Sequence, residues 1–437
     1  MLTGQLEIAR LASKAKEMGL TSLNKHLTLE LLKEAYRLTR KDGAVGIDGQ
    51  TAGEFEVNLE ENLKALLEEA KSGRYKAPPV RRVYIPKGDS STELRPLGIP
   101  TFRDKVLQRA VVMLLTPVYE QNFLDCSHGF RPGRSALKAS KEVDALLFRR
   151  FNGGWVVEVD IRKYFETMDH EKLRELINLR IRDGVLLRLI GKWLKAGVVE
   201  EGQRKIAESG SPQGGVISPL LSNVYLHYVL DVWFHDVVLP RLKGAAELIR
   251  FADDFVIICK QKTDAERILA VLPKRFAKFG LSLHPDKTKL IDFSKQNRVE
   301  KDDSDDGPAE TTFTFLGFTF MWGKSRKGKP TVWRKTNKDR LKRIITRIGK
   351  TCRFQRHHPI KVQQSKLNSM LTGHYNYYGV TGNFASLQKV YRSAEKQWYK
   401  WLRRRAQKKK LRWEQFNAIL AKFPLRSPRI LHSAYRT

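Results

Sequence analysis

The stretch Leu248–Cys259, LIRFADDFVIIC, sets two adjacent aspartates, Asp253 and Asp254, where two short apolar runs meet. β-Branched and aromatic residues favour strands on either side, so the segment predicts a β-hairpin with its acids at the tip. Ninety-three residues before Asp253, WVVEVDI predicts another strand, ending in Asp160. Strands this rich in Val and Ile belong in a sheet interior, where an isolated carboxylate is costly. Carboxylates brought to strand ends from distant sequence are suited to holding Mg2+ near substrate phosphates. A pair of such ions clamps the attacking and leaving oxygens of a phosphoryl transfer, which is what a nucleic-acid polymerase needs. An Asp pair is also a common turn signal, because Asp bonds its own backbone there, so order and context must carry the reading.

Composition sets the frame. A chain of 437 residues with 41% hydrophobic and 10% aromatic content is globular, with room for two or three domains. The net charge of +34 is unevenly spread. Residues 321–437 hold 31 Lys+Arg against 3 Asp+Glu, a net of +28, which leaves +6 for the first 320. Such a segment is the electrostatic footprint of a polyanion binder. Tyr and Trp interleave with the bases, and there is neither a long apolar helix nor an acylation signal, so nucleic acid is favoured over a membrane. Cys126, Cys259 and Cys352 lie far apart, which suits a reducing cytoplasm and excludes a Cys-based zinc site. The N-terminus lacks a signal-peptide core, and a soluble cytoplasmic protein is expected.

Along the chain, residues 1–70 read as amphipathic helices. Pro78–Pro100 reads as a hairpin turning at Gly88–Ser91, followed by a helix from Asp104 to about Tyr119. The loop CSHGFRPGRSA leads into another helix. After the Asp160 strand, Asp169 is the expected N-cap of a helix carrying Leu173, Leu176, Ile177 and Ile181. SGSPQGGVISPLLSNVYLHYVL reads as a glycine-rich turn entering a helix, with Ser218-Pro219 at its cap and first turn. A helix over Thr263–Phe279 follows the hairpin, residues 294–311 are loop-like, and TFTFLGFTFMW is a strand pair or a bent strand. From Thr336 the period turns helical: Leu341, Ile344, Ile345 and Ile348 line one face, and Phe384, Leu387, Val390, Tyr391, Ala394, Trp398 and Trp401 another. Trp398 and Trp401 sit among bases and are candidates both for core and for stacking on nucleobases.

These motifs form a known series. The chain resembles the group II intron reverse transcriptases/maturases through LRPLGIP (Leu94–Pro100), GFRPGRSA (Gly129–Ala136), the Asp160 strand with Phe165, SPQGG (Ser211–Gly215), FADD (Phe251–Asp254), LHPDKTK (Leu283–Lys289) and FLGF (Phe315–Phe318). The resemblance implies an α+β right-hand polymerase fold: fingers, a palm with an antiparallel sheet, and a basic helical thumb/maturase domain. It divides the chain into an N-terminal helical extension of the fingers (1–70), fingers and palm (71–320) and thumb/maturase (321–437). It implies copying of intron RNA into DNA and assistance in splicing, with intron RNA, target DNA, and an RNA template carrying a DNA primer and dNTPs as partners. The HNH endonuclease domain of many relatives is not expected here. The usual Tyr before Ala-Asp-Asp is Phe251, the His often found after FRPGRSA is Leu137, and the acidic run Lys301–Asp306 departs from the family. The competing readings are another bacterial branch (retron, diversity-generating or CRISPR-associated) and an RNA-binding maturase without polymerase activity.

Asp160 and Asp253 are the expected ligands of two Mg2+. Asp254 ranks below them, since neighbouring strand residues face opposite ways. The resemblance adds the backbone carbonyl of Ile161 as a ligand and Phe165, five residues past Asp160, as a steric gate against the ribose 2′-hydroxyl. Lys87 and Arg95, on the two arms of the Pro78–Pro100 hairpin, are candidates to meet the triphosphate. Lys287 is a candidate general acid for leaving pyrophosphate. Gly214 and Gly215 allow close backbone approach, and Gln213 is a candidate contact to nucleotide or template. Arg131, Arg134, Arg403, Arg404 and Arg405 are candidate nucleic-acid contacts. His128 and His284, without a partner at metal or triad spacing, read as structural.

Overall fold

The computed structural model describes residues 3–86, 94–200, 214–294, 311–325, 327–405 and 411–433, and the backbone of 203–205. The chain forms two compact units, Met1–Ala139 with Val159–Leu290, and Ser140–Glu158 with Ile291–Thr437.

Within the first unit, helices α1 (Thr3–Lys14), α2 (Leu29–Leu38), α3 (Ala52–Glu56) and α4 (Leu59–Ser72) precede the first strands. Thr28 and Thr51 cap α2 and α3, and Tyr36, Phe55 and Phe102 pack ring to ring beneath them. Strands β1 (Val80–Pro86) and β2 (Leu94–Ile99) pair antiparallel in the register Arg81↔Ile99 to Pro86↔Leu94. The expected turn of this hairpin lies outside the described residues. Helix α5 (Phe102–Tyr119) starts at the Thr101 cap and buries nearly its whole length. Helix α6 (Ala136–Ala145) follows the GFRPGRSA loop, and β3 (Trp155–Val159) delivers Asp160 at its end.

Next come α7 (Tyr164–Thr167), α8 (His170–Asn178) and α9 (Gly184–Leu194). Asp169 caps α8 as its position predicts, accepting from the backbone N–H groups of Glu171 and Lys172, but Ile181 lies beyond that helix. The short strands β4 (Val198–Glu200) and β5 (Gln203–Lys205) extend the hairpin sheet in the order β2-β1-β4-β5, an addition that three-residue strands do not announce in sequence. Helix α10 (Ser218–Leu226) begins at Ser218 itself and makes no side-chain cap bond, so the expected serine cap is corrected. Strands β6 (Ala246–Phe251) and β7 (Asp254–Cys259) form the expected hairpin around a two-residue turn, and α11 (Lys262–Ala277) follows. Strand β8 (Lys289–Asp292) closes the series. The unit boundaries fall inside α6, β3 and β8.

In the second unit, β9 (Phe313–Phe315) and β10 (Phe318–Lys324) join through Leu316 and Gly317, both at positive φ, as a two-residue hairpin turn of this twist requires. A third strand, β11 (Pro330–Thr336), is an addition to the expected pair; it pairs with β10 over seven residues and alternates Val332, Arg334 and Thr336 inward. Helices α12 (Lys338–Phe354), α13 (Ile360–Tyr378), α14 (Phe384–Arg403) and α15 (Trp413–Lys422) bury Ile344, Ile348, Leu371, Leu387, Val390 and Phe416 in one core. Phe384 stays exposed, contrary to its place in the apolar stripe. Trp398 is fully buried, donates from its indole N–H to Gln363 and meets Phe416 edge on, so it is core and not a stacking platform. Among the described residues no helix is long and apolar enough to cross a membrane.

Candidate active site

Asp160 sits at the end of β3, half-exposed, with the loop after α11 wrapped against it. The His284 N–H donates to the Asp160 carbonyl at 2.8 Å, Arg162 N–H to Ser282 O at 2.8 Å, and Ile161 bridges Leu283. This folds LHPDKTK back on the strand end and brings the Lys287 Nζ to 2.9 Å from Asp160 Oδ2. A separation of 127 residues along the chain gives no hint of this ion pair.

Asp253 occupies the turn between β6 and β7, and Asp254 opens β7 with its side chain exposed. Burial pushes the Asp253 carboxyl above its ordinary value, and the negative charge of Asp160 adds to the rise while Arg95 and Arg250 oppose it. Asp253 thus lies within electrostatic reach of Asp160 and of Arg95. Hard carboxylate oxygens that repel each other form a donor set suited to a divalent cation. Among the described residues, however, no three His, Cys, Asp or Glu side chains converge into a self-sufficient metal cluster.

The turn itself is strained and braced. Ala252 has φ 57°, a left-handed conformation uncommon for a residue with a Cβ. Gly129 lies so close beneath that a Cβ there would collide with the Ala252 backbone nitrogen, which explains the first glycine of GFRPGRSA. Arg250, fully buried, spends all five guanidinium donors: on Asp231 at 2.7 and 2.5 Å, Asn223 Oδ1 at 3.0 Å, Ser127 Oγ at 2.8 Å and the Ala252 carbonyl at 2.9 Å. Asn223 in turn donates to Gly129 O at 2.6 Å. Sequence reasoning does not find these bracing residues. A lone Arg inside an apolar strand does signal a buried acid, but nothing in sequence singles out Asp231.

Phe165 lies in α7, half-buried, its ring 5.3 Å from that of Tyr164. Tyr164 donates to Ser222 O at 2.9 Å, and burial raises its hydroxyl pKa, with Asp253 contributing. This anchors the helix that carries Phe165 near the aspartates. Lys163, at φ 46°, bends the chain between Asp160 and Phe165.

Gly214 has φ 117°, and a Cβ on it would meet Gly98 O at 2.5 Å, so LRPLGIP and SPQGG touch backbone to backbone. Buried Gly215 accepts from Ser218 N, and Gln108 Oε1 takes the N–H of Val216 at 2.9 Å, fixing the helix entry. Lys87 and Gln213 lie outside the described residues, as does the acidic run 301–306.

Arg131 differs from expectation. It is buried, ion-paired with Glu120 at 3.0 Å, and donates to the carbonyls of Leu124 and Ser127 at 2.7 and 2.8 Å. Its donors are consumed in holding the loop, so it is a scaffold residue rather than a nucleic-acid contact. Arg134 is ion-paired with Asp125. In the second unit Arg403, Arg404 and Arg405 are exposed, and the guanidinium carbon of Arg404 lies 5.3 Å from the half-buried Trp401 ring.

Residues 85–320 match the family model described as reverse transcriptase (RNA-dependent DNA polymerase). The chain is 36% identical over 338 residues to Protein YkfC of Escherichia coli, covering 69% of this chain and 83% of that protein. It is 48% identical over 183 residues to the group II intron-encoded protein LtrA of Lactococcus lactis, covering 42% of this chain but 29% of LtrA. Nuclear intron maturase 4 of Arabidopsis thaliana is 26% identical over 198 residues, 45% of this chain and 23% of that protein. The chain belongs to the reverse transcriptase family, in its group II intron-encoded reverse transcriptase/maturase branch.

Proposed function

We propose that this protein is an RNA-directed DNA polymerase that copies its intron RNA into DNA and assists that RNA in splicing. What supports the polymerase reading is the Lys287–Asp160 ion pair at 2.9 Å, with Asp253 within electrostatic reach of Asp160 and Arg95. Residues 1–70 serve as an N-terminal extension of the fingers, 71–320 as fingers and palm, and 321–437 as the thumb/maturase, working in the bacterial cytoplasm on intron RNA and target DNA. Asp160, Asp253, Asp254 and the Ile161 carbonyl would hold two Mg2+. Such ions, when bound, supply charge stabilisation for the attacking primer 3′-oxygen and the leaving pyrophosphate.

The protein's own side chains do the remaining work. Arg95, exposed on β2 and close enough to Asp253 to lower its pKa, offers a planar fork to triphosphate oxygens. Lys87 remains the candidate second cation for the triphosphate. Lys287, held to Asp160, carries a proton that the departing pyrophosphate takes up. Gly214 and Gly215 allow close approach of nucleotide or template, and Gln213 remains a candidate contact to either.

The test is primer extension on an RNA template with dNTPs, and no extension by the wild-type protein would refute the reading. The same assay examines sugar selection. With the Phe165 ring against the 2′-position, Phe165→Val should raise the ratio of ribonucleotide to deoxyribonucleotide incorporation by roughly tenfold or more, the scale of a steric discrimination. An unmoved ratio would make this ring a packing residue.

The C-terminal arginines are tested separately. Neutralising Arg403, Arg404 and Arg405 together should weaken RNA binding and flatten the log K against log [salt] slope by roughly 0.7–0.9 for each phosphate no longer neutralised. Titrations at several salt concentrations decide it; an unchanged slope would leave the run a solvated face.

A further inference from the structure

Among the buried residues of α5, Asp104 and Gln108 stand out as polar, one turn apart. A polar side chain taken out of water needs partners, and the partners of the Gln108 oxygen come from far along the chain. Its Oε1 accepts from the Val216 N–H at 2.9 Å and, more weakly, from the Ile217 N–H at 3.4 Å. These two donors stand between the Gly214–Gly215 turn and α10, a helix that makes no side-chain cap bond of its own.

The same turn is held from another side. Gly214 backs onto the Gly98 carbonyl so closely that a Cβ there would come to 2.5 Å. Gly98 belongs to β2, three residues after Arg95, whose charge acts on Asp253. The helix that carries Gln108 is itself pinned. Thr101 Oγ1 accepts from Asp104 N at 3.2 Å, and the Asp104 carboxyl accepts from the Tyr75 hydroxyl, which takes the Trp193 indole N–H at 2.9 Å. This buried chain ties the start of α5 to α9 and to the segment leading into β1, the strand paired with β2. Movement of the Gly-Gly turn relative to Arg95 is therefore opposed at two points, Gly98 and Gln108.

We propose that Gln108 is a positioning residue for dNTP binding: by holding the Val216 and Ile217 N–H groups it sets where the Gly214–Gly215 turn stands relative to Arg95. The inference rests on the polymerase function proposed above. Gln108 is 4% exposed and acts through the turn rather than on substrate. Without its oxygen, the two inward N–H groups either stay unpaired or shift toward water to find partners. A shift carries the glycine backbone away from its place beside the Arg95 strand, so the loss falls on the nucleotide. A residue that merely capped α10 would lower stability without preference among substrates.

The test is steady-state primer extension by the full chain, with dNTP and template–primer varied in turn and thermal midpoints measured on the same preparations. Gln108→Met keeps the length of the side chain and removes the acceptor. It should raise the dNTP KM by about tenfold, with kcat and the template–primer KM within about twofold of wild type. Gln108→Glu restores an oxygen acceptor at the same reach and should return the dNTP KM to near the wild-type value. Should Gln108→Met not fold, Gln108→Asn, which keeps the amide but draws its oxygen back by one methylene, must show the same selective rise. An unchanged dNTP KM in the folded variant, or Gln108→Glu as impaired as Gln108→Met, would overturn the proposal. So would kcat and both KM values worsening together with the midpoint, which would leave Gln108 a structural cap. Absence of extension by the wild-type protein would refute the polymerase reading and this role with it, whereas wild-type extension with an unmoved variant KM would refute this role alone.

Discussion

Asp253→Asn is expected to abolish Mg2+-dependent primer extension while leaving the protein at least as stable as before. An amide is a poor ligand for a hard cation, and loss of several kcal/mol of transition-state stabilisation corresponds to on the order of a thousandfold in rate or more. The stability half follows from the carboxyl's environment. Burial and Asp160 raise the Asp253 pKa, so the folded state holds that proton more tightly than the unfolded chain does. The stabilising contribution of such a group is complete below its unfolded pKa and is lost as pH rises through the higher folded value. Well above that folded value the carboxylate is therefore a burden, and the neutral amide removes it. RNA affinity should hardly change, because one charge is small beside the protein's net +34. Extension by this variant near the wild-type rate would remove Asp253 from the site. A large fall in its thermal midpoint would mean that the missing activity reports on folding and not on chemistry.

The parts of this site that are legible in sequence are those written in local chemistry. FADD between two apolar runs reads as a hairpin tip because strand propensity and turn chemistry are both local, and the turn at Ala252 and Asp253 is where they place it. The same holds for the Asp169 cap. What cannot be read is set by distant partners. Arg131 carries the same charge as an RNA-binding arginine, and only its burial against Glu120 reveals a scaffold role. Trp398 lies in a run of bases, yet the 3.6-residue period turns it inward, where Gln363 satisfies its N–H. Strand β11 is legible in principle: Val332, Arg334 and Thr336 alternate, but an inward Arg and flanking lysines mask the pattern. The bracing of the Ala252–Asp253 turn is the extreme case, since Ser127, Asn223, Asp231 and Arg250 come from separate stretches and each alone has an ordinary explanation.

That bracing supplies the second large effect. Arg250→Met should destabilise the protein by about 3–5 kcal/mol, because it leaves the fully buried Asp231 carboxylate without its partner. It also frees the Ala252 carbonyl, held by the guanidinium at 2.9 Å, in a turn whose left-handed residue needs external support. Stability and positioning can be separated by adding Asp231→Leu. Replacing both members of a buried ion pair with apolar residues is often near neutral, so the double variant should regain most of the missing stability. It should not regain primer extension, because no apolar side chain can donate to the Ala252 carbonyl, and the aspartate that follows in the turn is left less firmly placed. The expected signature is a low kcat with template and dNTP KM values little changed. Measured by denaturant unfolding and primer extension on the same preparations, recovery of both quantities in the double variant would reduce Arg250 to a core ion pair. Recovery of stability alone would show that the guanidinium's bond to the turn is what activity requires.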